Sequence, residues 1–336
     1  MKGPRILQQA GNIPYVSGRQ GNPLQLPKFG LAYALDLHVS GTMSITQPAG
    51  AGAPTFQAGG PWNLLQQHLM TVNGLSFNSV MSGRGLYLAS LLARRGMAVP
   101  YTAPLPPANG GTQPVTTPEA WTWNVTLPIA TSERDHNSPV GLINLQNQAV
   151  TAYTRAIWAT EATILNLPNA STASFTGSVE ERLVLMEAPT TEAEFRAIQP
   201  LLGNLHVWEE QPAVIAAGTA APRILLPVGD VYQRIAVLLS YQGSPDLTNQ
   251  SGLQTLRLSY GGFYQVDDSA QSIQYRANGR YDGNLPGDCY LLDFSTDLPN
   301  ELLDATRLPQ LNLDLIFAAA PANTTVSLLL ERYRQA

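Results

Sequence analysis

The chain has 336 residues, room for two domains of ordinary size, and only 13% of them are charged, about half the share usual in globular proteins. A net charge of −5 excludes nucleic-acid binding through the whole surface, which needs a basic footprint. Apolar residues at 44% exclude wholesale disorder, and so little charge suits either burial against other subunits or a low-charge extracellular β-protein.

From Met1 to Leu35 there is no acidic residue, while Lys2, Arg5, Arg19 and Lys28 are basic. With their Gly, Pro and Gln content, residues 1–28 read as an extended arm that touches anionic lipid or nucleic acid, or laces under a neighbouring subunit. A frayed, mildly basic tail is the competing reading. Strands follow. Leu31, Tyr33, Leu35, Leu37 and Val39 alternate with Ala32, Ala34, Asp36 and His38. The same period of two runs through Trp121, Trp123, Val125, Leu127 and Ile129, through Leu256, Leu258 and Tyr260, and through Leu311, Leu313, Leu315 and Phe317. Turn residues fill Pro48 to Pro54, Pro104 to Pro114, Gly243 to Gly252 and Asn278 to Gly283. The Pro/Gly-rich stretch from Pro100 to Pro118 is too long for a simple hairpin and suits a tower or a subunit contact. Helical signals are short. They cover Gly85 to Arg95, stopped by Gly96; Thr191 to Gln199, stopped by Pro200; and Ser269 to Arg276.

Two segments recur half a chain apart. Leu64-Leu65-Gln66-Gln67, with Leu69, Met70 and Val72, resembles Val231-Tyr232-Gln233-Arg234, with Ile235, Val237 and Leu239. The strand opened by Trp121, its polar loop and the strand through Tyr153 and Trp158 resemble Asp288 to Asp297, a loop, and Leu311 to Phe317. Both offsets are near the length of one domain. The chain therefore divides into an arm (1–28), a first sandwich (29–188), a connector with a short helix (189–204) and a second sandwich (205–336). The predicted class is all-β: two tandem jelly-roll sandwiches with a few short helices.

Three segments carry a family resemblance: Gly60-Pro61-Trp62-Asn63-Leu64-Leu65-Gln66-Gln67; Leu127 to Asp135 with Gly141 to Leu145; and Leu311 to Phe317 with Val326 to Tyr333. They resemble the double-jelly-roll major capsid proteins of tectiviruses and their relatives, the lineage that includes adenovirus hexon. The resemblance implies a homotrimer that presents six sandwiches as a pseudo-hexagonal tile of an icosahedral shell. It also implies neighbouring trimers and vertex or minor capsid proteins as partners. An internal membrane beneath the shell would place Lys2, Arg5, Arg19 and Lys28 at an inner, lipid-facing surface. Synthesis in the host cytoplasm fits a chain with one cysteine, no secretory-type leader and no apolar run of membrane length.

No residue pattern announces chemistry, and no cofactor or metal is expected. His38, His68, His136 and His206 are scattered without zinc spacing and read as surface or strand-face residues. Cys289 lies in a strand-like run and reads as a small buried hydrophobe. Adjacent Asp267-Asp268 and Glu209-Glu210 point to opposite faces of a strand and form no dyad. Glu133-Arg134-Asp135-His136 reads as a solvated or inter-subunit loop. Tyr260-Gly261-Gly262-Phe263-Tyr264 leads into no helix, so a bulge is preferred to a phosphate loop. The alternative function is a carbohydrate-binding or adhesive jelly-roll module, which would need an exposed aromatic platform or a calcium loop. Trp121 and Trp123 share one face and read as core, while Trp62 and Trp208 have no assigned place. A jelly-roll enzyme is the third reading.

Overall fold

The computed structural model describes residues 5–57, 59–73, 75–94, 96–97, 99–130, 141–187, 190–194, 196, 204–215, 218–242, 244–295, 302–319 and 321–335. The chain forms two units, one comprising Met1–Ser90 with Val99–Leu202 and the other Leu91–Ala98 with Gly203–Ala336.

In the first unit eight strands build the sandwich, with the two-residue strands Thr55–Phe56, Tyr101–Thr102, Ile143–Asn144 and Leu165–Asn166 in addition. The eight are β1 (Arg5–Pro14), β2 (Leu24–Gln25), β3 (Leu31–Gln47), β4 (Leu65–Val72), β5 (Leu75–Met81), β6 (Val115–Pro128), β7 (Ala152–Trp158) and β8 (Thr172–Met186). Antiparallel pairing orders them β1-β8-β3-β6 in one sheet and β2-β7-β4-β5 in the other. Helix α1 (Gly83–Ala93) follows β5; Ser82 Oγ caps it by accepting from the Gly85 amide at 3.0 Å, and it ends before Gly96.

The second unit repeats this. Its strands are β9 (Asn204–Val214), β10 (Arg223–Leu226), β11 (Val231–Tyr241), β12 (Leu253–Tyr260), β13 (Phe263–Ser269), β14 (Cys289–Asp293), β15 (Leu311–Phe317) and β16 (Thr324–Gln335). Its sheets run β9-β16-β11-β14 and β10-β15-β12-β13. Each strand number is that of the first unit plus eight. Helix α2 (Ala270–Arg280) again follows the fifth strand of its unit, directly after β13, with Ser269 as its N-cap. Both units are therefore jelly rolls of one connectivity, and the chain is a double jelly roll.

The predicted inward residues are inside. Trp121, Trp123, Val125 and Leu127 of β6 face Leu35, Leu37 and Val39 of β3 along one buried side. In the second unit Leu256, Leu258, Leu311, Leu313 and Leu315 meet Ile235, Val237, Leu328 and Leu330 in one continuous core. Strand β11 is buried from Tyr232 to Leu239, which explains its nearly unbroken apolar run. The alternation slips once in β3, where a bulge at Tyr33 moves Leu31 into a separate small cluster with Ala130, Leu142 and Met186.

Several expectations change. Residues 5–14 are not part of an arm: β1 pairs with β8 along its length and buries Ile13. An edge strand tolerates the Gln and Gly content that reads as coil, because only one side of its ladder must be satisfied. The first of the two repeats is out of register with the fold. Leu65–Val72 is β4 and Val231–Tyr241 is β11, which are not equivalent; the counterpart of β4 is β12. The second repeat joins equivalent strands, β6 with β14 and β7 with β15. Gly261 and Gly262, both at positive φ (53° and 87°), make the two-residue turn between β12 and β13, and the bulge sits two pairs further in, where Gln265 is the extra residue opposite Leu258 and Ser259. Of the helix expected at Thr191–Gln199, residues 195 and 197–199 lie outside the described residues. Its start is a capping box, with Thr191 Oγ1 accepting from the Glu194 amide and Glu194 accepting from that of Thr191, both at 3.3 Å.

Candidate functional site

Of the four N-terminal cations, the side chains of Arg19 and Lys28 are described. Lys2 lies outside the described residues, and Arg5 opens β1 opposite Met186. Arg19 is exposed in the turn after β1, where its carbonyl accepts from the Trp158 amide at 2.9 Å. Lys28 is engaged: its Nζ donates to the carbonyls of Gln148, at 2.9 Å, and Val150. It ties a loop to the start of β3.

Several charged groups are paired inside. In the first jelly roll His68 Nε2 lies 3.1 Å from Glu181 Oε1, and Thr154 Oγ1 donates to Glu181 Oε2 at 2.5 Å. In the second, Glu331 receives His206 Nε2 at 2.7 Å and Arg234 Nη1 at 2.5 Å. Arg234 Nε donates to the Tyr281 hydroxyl at 3.0 Å, and that hydroxyl donates to Asp293 at 2.6 Å. Burial pushes the Asp293 carboxyl up, but the Arg234 charge and hydrogen bonds from Ser295 and Tyr281 outweigh it and hold the group below its usual value. Arg332 is buried against the Tyr232 ring, with Asp230 at 2.6 Å and Glu209 beside it. Burial, then Arg334, pushes Arg332 down to about 10, so it stays charged at neutral pH.

His68 and His206 are thus core residues, not surface ones; a paired carboxylate is what makes burying them tolerable. The signal was in the strands. Glu181 stands between Val179 and Leu183 at the inward phase of β8, and Glu331 ends a run of three leucines. His38 Nδ1 lies 2.5 Å from Asn124 Oδ1 on the outer side of the first unit. Cys289 is buried in β14. Asp267 and Asp268 diverge, to Arg257 at 3.2 Å and Arg276 at 2.5 Å. The cluster 133–136, with His136, lies outside the described residues. Among the described residues no three His, Cys, Asp or Glu side chains gather where they could hold a metal ion. These networks cement the sandwiches; Glu181, Glu331, Asp293 and Asp230 are each already matched by a donor.

Two outer sheet faces have distinct chemistry. On β3, β8 and β6, Thr46 stands between Thr172 and Thr116, Ser44 between Ser174 and Pro118, Thr42 between Thr176 and Ala120, and Ser40 between Ser178 and Thr122. Ten of these twelve positions carry hydroxyls, and none is charged. On the second unit, one row crosses four strands with alternating sign: Arg223, Asp314, Arg257, Asp267. Arg223 grips Asp314 through Nε at 2.7 Å and Nη2 at 3.1 Å, and Arg257 lies 4.7 Å over the Tyr264 ring. Leu225 and Tyr264, 63% and 60% exposed, flank the row. All five tryptophans are buried, Trp62 and Trp208 included.

Two eight-stranded jelly rolls of identical connectivity in one chain define the double-jelly-roll class of protein. The solved structures that resemble it are viral major capsid proteins. The STIV major capsid protein, from Sulfolobus Turreted Icosahedral Virus, aligns over 99% of this chain and 97% of its own, with 16% identity and a TM-score of 0.72. The major capsid protein of bacteriophage PM2 aligns over 99% and 98%, with 13% identity and a TM-score of 0.55. The Faustovirus major capsid protein aligns over 99% and 90%, with 10% identity and a TM-score of 0.59. No protein-family model matches the sequence. No curated protein matches it either.

Proposed function

We propose that this chain is the major coat protein of an icosahedral double-stranded DNA virus or phage, a structural subunit without catalytic activity. It assembles as trimers whose six jelly rolls tile the shell as pseudo-hexagons, beside neighbouring trimers and vertex or minor capsid proteins. One observation carries the reading: two sandwiches of the same connectivity account for nearly the whole chain, and they align with capsid subunits over nearly all of both lengths. The low charge agrees, since uncharged polar surface is covered by other subunits at small desolvation cost. The subunit is made in the host cytoplasm and ends in the virion. Lys2, Arg5 and Arg19, in a segment without acidic residues, face inward toward lipid or packaged nucleic acid. The carbohydrate-binding alternative finds no support in the tryptophans, which offer no exposed platform.

Light scattering and electron microscopy of the purified chain test this. Three times the monomer mass of 36.2 kDa and a three-fold hexagonal tile are expected. A stable monomer at micromolar concentration overturns the proposal. Flotation with anionic vesicles, reduced by Arg5→Ala with Arg19→Ala, tests the inward-facing cations.

A further inference from the structure

We infer that the hydroxyl face of the first jelly roll and the charge-laddered face of the second are the two sides of one contact between copies of this chain. The inference rests on the coat-protein reading and gives it a surface. A ring of three identical subunits closes only through a heterologous contact, in which two different patches of each copy meet. A patch that met its own twin would instead close a two-fold dimer.

The two faces have chemistry that matches across such a junction. From Ser40 to Thr46 and across to β8 and β6, the first face offers hydroxyls that both donate and accept, with no ion to strip of water. Ions enter only further along, where Glu180 is already held by Arg182 at 2.8 Å. The second face presents donors and acceptors in alternation, the Arg223 and Arg257 guanidiniums and the Asp314 and Asp267 carboxylates, each neutralised by a neighbour within the sheet. Covering it leaves no uncompensated charge, and hydroxyls meet either sign. Threonine methyl groups supply apolar contact for Leu225 and Tyr264. Strand rise and spacing make the hydroxyl rows from Ser40 to Thr46 about 20 Å by roughly 10–15 Å, on the order of 250 Å² in projection. That is about a third of the ~800 Å² that each partner gives to an interface of standard size, so these rows are the centre of the junction and not the whole of it.

Two face-specific variants decide the matter by sedimentation velocity and native mass spectrometry. One carries Thr42→Arg with Thr176→Arg on the hydroxyl face; the other carries Leu225→Lys with Tyr264→Lys on the laddered face. Each is expected to be monomeric by itself. Mixed in equal amounts they are expected to form 1:1 dimers, because one intact junction survives between them. If either variant remains trimeric, or forms homodimers alone, the assigned contact is overturned while the coat-protein reading stands. If the unmodified chain is itself monomeric, the coat-protein reading fails first. Far-UV circular dichroism and melting establish that each variant is folded; Thr176→Glu alone repeats the assay should the arginine pair not fold.

Discussion

His68 and Glu181 meet inside the first jelly roll at 3.1 Å, one from each of the two facing sheets, with neither side chain reaching solvent. The carboxylate also takes the Thr154 hydroxyl, so three strands, β4, β7 and β8, share one polar junction in an otherwise apolar interior. Removing Glu181 strands two buried polar groups at once. Glu181→Ala is expected to lower unfolding free energy by about 3–5 kcal/mol, the range for breaking a buried pair, in urea titrations. Replacing all three groups with apolar ones, His68→Leu, Glu181→Leu and Thr154→Val, is expected to cost much less than the single change. Equal losses would show that the junction contributes only packing.

The second jelly roll allows a contrast between two arginines. Arg234 is buried and holds Glu331 and Tyr281, whereas Arg223 is largely exposed beside Asp314. Arg234→Ala is expected to cost about 3–5 kcal/mol, because it takes the guanidinium from a buried Glu331 and leaves it only His206. Arg223→Ala is expected to cost at most about 1 kcal/mol, the range of exposed pairs. Denaturant midpoints of the two variants measure the difference.

Gly41 and Gly177 face each other across β3 and β8, under the Phe175 ring. A Cβ on Gly41 would lie 2.4 Å from the Thr176 carbonyl oxygen and 2.5 Å from the ring. Gly41→Ala is therefore expected to cost about 1–3 kcal/mol through overpacking. Pairing it with Phe175→Leu, which frees the space, is expected to recover part of that loss in thermal melts.

Asp293 links stability to pH. Its carboxyl is held below the usual value of 3.8, so in acid the unfolded chain takes up a proton before the folded one does. The stabilisation is full above pH ~4 and is lost as pH falls through the lower, folded-state value. Asp293→Asn is expected to lower stability at neutral pH and to flatten the acid limb of the stability curve below pH 4. An unchanged limb in acid titrations followed by fluorescence would place the acid sensitivity elsewhere.

Much of the fold was legible along the chain. Period-two runs such as Trp121 to Leu127 keep one phase because a half-buried strand has one wet and one dry side. Edge strand β1 was not, since its Gln-rich sequence is compatible with coil until β8 offers a ladder. The mismatched first repeat has a related cause: β4 and β11 both alternate, and alternation carries no address within a sheet.

By itself the sequence determined that the chain is β-rich, duplicated and low in charge, because periodicity and composition are local properties each residue carries with it. Only the tertiary structure decided which strands are equivalent, that His68 and His206 are core residues, and that scattered serines and threonines line up as one face. Those facts depend on register between segments more than a hundred residues apart, which cross-strand hydrogen bonding sets and no local pattern records.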